Sequence, residues 1–113
     1  MANLDQIMDY LGDKFTDFDS GWKTLASGIE YRKIFGIVYL RFYITGQTLT
    51  TTYKLIGTLP VGYRINTTIY GICGTSGGVS GRVSINNSGQ ISVRTESGTA
   101  SSAWWQASFP ADN

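Results

Sequence analysis

From Trp22 onward the chain repeats one device: a short run of β-branched and aromatic residues, then a break that carries glycine, serine or asparagine. Apolar runs of about four to eight residues bounded by such breaks read as strands and turns. They fall at 22–26, 29–34, 37–45, 52–57, 65–73, 80–86, 90–96 and 102–109. Eight short strands at close spacing predict a mainly β chain, folded as a β-sandwich or jelly roll. A length of 113 residues is one domain's worth of core, so any function sits on that core or on an assembly of its copies.

Alternation along the runs assigns faces. In 37–45, Val38, Leu40, Phe42 and Ile44 share one side, and Tyr39, Arg41, Tyr43 and Thr45 share the other. The first set is the expected core. Asn86-Asn87-Ser88-Gly89 reads as a hairpin turn in which Gly89 supplies a positive φ, pairing Ile85 with Ile91 and Val83 with Val93. In the last run Ala103, Trp105, Ala107 and Phe109 lie opposite Ser102, Trp104, Gln106 and Ser108. Trp105 is therefore expected inside and Trp104 outside. Thr58-Leu59-Pro60-Val61-Gly62-Tyr63-Arg64 is a sharp turn, with Pro60 fixing φ and Gly62 free to reverse the chain.

Residues 3–15 follow another period. Leu4, Ile7, Met8, Leu11 and Phe15 recur at steps of three and four behind Asn3, a good N-cap, which predicts one short helix. At 1.5 Å per residue it is about 20 Å long and marginal alone. Its stripe packs either on its own domain or in a bundle with sister chains. The expected division is a helix and linker over 1–19 and a β-domain over 20–113.

Composition narrows the chemistry. With no histidine, the chain has no Ser-His-Asp or Cys-His nucleophilic site and no His-ligated zinc. Cys73 stands alone and reads as a small buried hydrophobe, so no metal site and no cofactor are expected. Five acids against Lys14 leave residues 1–19 at minus four and the remainder at plus five, without a basic cluster, which argues against a nucleic-acid face. No run is long and apolar enough to enter a membrane, and acids stand where a signal peptide would carry lysines. The glycine-rich stretch 74–81 lacks the lysine and the following helix of a phosphate loop. Outside the acidic N-terminal stretch only Glu30, Glu96 and Asp112 carry carboxylates, too few and too scattered to suggest a glycosidase pair.

One ordered set of motifs has a known counterpart. Gly21-Trp22, the 29–40 segment with Tyr31 and Lys33 before Gly36, the T-L-P-V-G-Y-R turn, the following Gly-Gln-Ile strand and a closing tryptophan span about residues 21–109. Together they resemble the C-terminal receptor-binding heads of tail-fibre and minor structural proteins from phages and prophages of Gram-positive bacteria. The resemblance implies a jelly-roll-like β-sandwich of tumour-necrosis-factor-like shape, assembled as a homotrimer in the virion. Its partners would be other virion proteins and a glycan or wall polymer of the host surface. On that reading Trp104, Gln106, Tyr63 and Arg64 are ligand-binding candidates, because an indole face stacks on a sugar and amides or guanidinium groups bind its hydroxyls. Tyr39, Arg41, Tyr43, Leu4, Met8 and Leu11 are candidates for the subunit interface, where Tyr and Arg are enriched. The alternative is a purely structural virion protein, a fibre tip or decoration, in which Trp104 too is sealed between subunits.

Overall fold

A computed structural model describes residues 19–111. It contains eight strands: β1 (Lys23–Ala26), β2 (Ile29–Ile34), β3 (Ile37–Ile44), β4 (Lys54–Thr58), β5 (Ile69–Thr75), β6 (Gly81–Ile85), β7 (Gln90–Thr95) and β8 (Ala103–Pro110). All pairings are antiparallel, in the order β1-β2-β3-β8-β5-β6-β7-β4. This single sheet curls until β4 meets β1, an almost closed barrel. Gly57 makes that approach possible, since it lies beneath the Leu25 and Ile29 side chains, where a Cβ would press on Leu25. The order β8-β5-β6-β7 is that of a Greek key. Beside it β1, β2 and β3 run as a simple meander, so the expected mainly β chain is built as one curled sheet.

Alternation places the core as the residues dictate. Val38, Leu40, Phe42 and Ile44 are buried on β3, and the β6–β7 hairpin adds Val83, Ile85, Ile91 and Val93 in the expected register. The ends of the barrel are plugged from the connections. Leu59 is fully buried at one end, its N–H donating to Gly89 O at 2.8 Å. Leu49 is fully buried at the other, bridged to Ala100.

Two expectations need correction. The run expected at 65–73 is a strand only over Ile69–Thr75, because its pairing with β6 begins at Ile69↔Ile85 and its last two residues pair with β8. Trp105 points inward but is half-buried rather than fully buried. β5 joins β8 only through Gly74 and Thr75, so the sheet splays beyond that point, and the Trp105 indole fills the seam over Gly71.

The described chain ends meet at one end of the barrel. Asp19 bridges Ile34, and the Ala111 N–H donates to Gly36 O at 2.9 Å. Phe35 and Gly36 both have positive φ, 49° and 81°, the signature of the two-residue turn that reverses β2 into β3. Asp19, at the end of the expected linker, contacts β2 through that bridge and an ion pair to Arg32. The expected helix, with Leu4, Met8 and Leu11, lies outside the described residues.

Candidate functional site

The outward parity of β3 and β8 builds one continuous face. Tyr39, Arg41 and Tyr43 stand on β3, and the register sets Ser108, Gln106 and Trp104 of β8 beside them. The Tyr43 and Trp104 rings stack at 5.7 Å and 15°, which holds the indole flat against the sheet. Its other support is Gly74 of β5, where any Cβ would fall inside the indole. Glycine is required at that position by the tryptophan that lies on it. Trp104 nevertheless stays 41% exposed and Tyr43 59%.

A third aromatic arrives from outside the strands. Trp22 precedes β1 and lies over Arg41, whose Cζ is 3.7 Å from the ring centroid, a close cation–π contact. The segment is anchored two ways: Asp19 Oδ1 accepts from the Gly21 N–H at 2.9 Å and from Arg32 Nε at 2.8 Å. The Arg32 guanidinium holds the Asp19 carboxyl at about 2, below its ordinary 3.8. Arg41 has an acidic neighbour of its own, with Nε 3.4 Å from Glu30 Oε1.

These side chains enclose two adjoining grooves. The first, about 400 Å³, is lined by Trp22, Tyr39, Arg41, Gln106 and Ser108 with the backbone of β3 and β8 beneath. The second, about 560 Å³, is lined by Gly28, Glu30, Arg41, Tyr43, Trp104 and Gln106, with Phe42 and Trp105 at its floor. Arg41 and Gln106 border both. The arrangement offers flat aromatic surfaces beside a guanidinium, an amide, a carboxylate and hydroxyls. It holds no nucleophile with an adjacent base.

Trp104 and Gln106, expected at a ligand site, therefore share a face with Tyr39, Arg41 and Tyr43, expected at a subunit interface. Tyr63 and Arg64 line neither groove. Tyr63 is half-buried, edge-on to Tyr31 at 4.9 Å with the Lys33 ammonium over its ring, and Arg64 Nε donates to Leu59 O at 2.8 Å. Both brace the turn that carries them. Sequence reasoning missed Trp22, Glu30 and Ser108 as parts of the site. Glu30 and Ser108 had a signal, since each falls on the same parity as a chosen neighbour across the sheet. Trp22 had none, because it lies before β1 and no periodicity fixes where its ring goes.

Other features are accounted for by structure. Cys73 is buried and burial pushes its thiol pKa up, which makes it a packing residue. A separate outward apolar pair, Tyr70 and Ile72 on β5, is 68% and 66% exposed. Comparison with protein families, with curated proteins and with solved structures found no match.

Proposed function

We propose that the protein is a phage tail-fibre-like receptor-binding head, a virion component whose copies assemble as a homotrimer and contact a saccharide of the host cell surface without a catalytic step. The observation that carries the reading is the pair of grooves along β3 and β8, walled by Trp22, Tyr39, Tyr43 and Trp104 around Arg41 and Gln106. Sugars present apolar ring faces edged with hydroxyls, and flat aromatics beside fixed polar groups match that pattern. Shallow open grooves give weak single sites, and repetition by symmetry raises strength through effective concentration.

The carboxylates favour binding over hydrolysis. A glycosidase needs two carboxyl groups, one with its pKa raised so that it can donate a proton. Among the described residues Asp19 and Glu96 both have their pKa lowered, each by an arginine partner, Arg32 and Arg82. The purely structural reading draws on Tyr70 and Ile72, whose exposure suits a contact between proteins.

Two measurements test the proposal. Light scattering should report three times the 12.4 kDa chain mass; a stable monomer at micromolar concentration removes the trimer. Trp104→Ala should keep that mass and lose attachment to host cells or purified wall polysaccharide. Weaker trimers with unchanged attachment would favour the structural reading instead.

A further inference from the structure

The two grooves are not equivalent in charge. The second contains the Glu30 carboxylate opposite Arg41. The first contains one charged side chain, Arg41, with Gln106, Ser108 and Tyr39 as neutral donors around it. The nearby Arg32 is already neutralised by Asp19. A small anion entering the first groove thus meets a guanidinium that Glu30 pairs only at 3.4–3.5 Å, from outside that groove, and no carboxylate on its walls.

Arg41 is prepared for such a partner. Trp22 packs against the guanidinium, with Cζ 3.7 Å from the ring centroid. Glu30 takes Nε at 3.4 Å and one Nη2 bond at 3.5 Å, well beyond the about 2.7–2.9 Å of a strong charged hydrogen bond. The remaining N–H groups make no hydrogen bond among the described residues. An arginine presents five donors in a rigid fork suited to carboxylate and phosphate oxygens, so this one is under-used.

We infer that the groove beneath Trp22 is an anion subsite, in which Arg41 binds a carboxylate or phosphate substituent of the saccharide while Gln106 and Ser108 donate to its neighbouring oxygens. The inference rests on the saccharide-binding reading of this face and adds that the ligand is an acidic saccharide. The second groove, with Glu30 as an acceptor and the Tyr43–Trp104 stack as a platform, takes an uncharged ring beside it.

The test titrates the intact protein with three compounds: a neutral malto-oligosaccharide, an oligogalacturonate and a glycerol-phosphate oligomer, followed by calorimetry and by Trp indole and Arg Nε–H resonances. At least one acidic compound should bind more tightly than the neutral one, shift Trp22 and Arg41, and weaken as salt rises. The oligogalacturonate and glycerol-phosphate arms tell carboxylate from phosphate. Arg41→Gln should reduce acidic binding about tenfold or more and reduce neutral binding by a smaller factor. Glu30→Gln, which frees the guanidinium from its carboxylate neighbour, should tighten acidic binding several-fold; a pair that only braces the sheet would give no tightening. Equal binding of all three compounds, insensitive to Arg41→Gln, overturns the anion subsite and leaves the saccharide reading standing. If none of the three binds, both readings fall.

Discussion

Trp104 and Trp105 are adjacent in sequence and chemically identical, and the structure gives them opposite duties, so alanine at each should have separable effects. Trp105 faces the interior, tilted against Phe42 at 6.2 Å and filling the seam over Gly71. Its removal leaves a gap between Phe42 and Gly71 where β5 and β8 part. The expected cost is about 3–5 kcal/mol. Trp104 lies outside, with 59% of its surface covered, mainly by Tyr43 and the β5 backbone at Gly74. A large aromatic buries about 150–250 Å² at about 25 cal/mol per Å², which bounds its burial from above. Partial exposure, the alanine that remains and compaction of the unfolded chain bring the expected loss to about 1–2 kcal/mol. Urea denaturation followed by circular dichroism reads both, and the midpoints should separate clearly with similar slopes. Equal losses, or a larger one for Trp104→Ala, would refute the inward and outward assignment on β8 and with it the groove.

Three further outcomes follow from other parts of the barrel. Asp19 has a depressed pKa, so its pairing with Arg32 contributes fully above pH 3.8 and is lost as pH falls toward about 2; Asp19→Asn should flatten that limb of an acid-unfolding curve. Gly28→Ala should be severe, because its Cβ would strike the Tyr43 carbonyl, whereas Gly36→Ala, equally positive in φ but with open space around it, should cost about 1 kcal/mol in thermal denaturation. Leu49→Ala should cost about 2–5 kcal/mol by the same measurement, although the residue lies outside the named strands; a near-neutral result would mean that Leu49 does not plug the barrel.

The strands were legible because a two-residue period is written directly into each run, and a half-buried sheet leaves little freedom to violate it. β3 and the β6–β7 hairpin show this most plainly, where side-chain parity and pairing register both follow from the residues alone. What escaped was set by contacts between distant segments. Ile65 is buried like a strand residue, yet it belongs to the connection, since no neighbouring strand pairs with it. Leu49 and Leu59 are as apolar as many surface leucines, and only closure of the barrel decides that they become its plugs. Tyr63 has the composition of a contact residue on an exposed turn, but Tyr31 and Lys33, about thirty positions earlier, claim its ring.

The same parity keeps the outer face of the sheet apart from the core. Along β3 the inward residues Val38, Leu40, Phe42 and Ile44 are buried while Tyr39, Arg41 and Tyr43 face out, and on β8 Trp104, Gln106 and Ser108 face out between buried and half-buried residues. Substitution on the outer set changes a groove wall without opening the core, so the grooves can be altered while the barrel stands. Two positions couple the layers. Gly74 must stay small for Trp104 to lie flat, and Gly71 must stay small for Trp105 to close the seam beneath it. A larger residue at Gly71 would push Trp105 out of the seam that underlies the second groove. A larger residue at Gly74 would lift Trp104 away from Tyr43 and remove the platform while leaving the interior packed. The strand that decides the shape of the grooved face is therefore β5, which contributes no side chain to either groove.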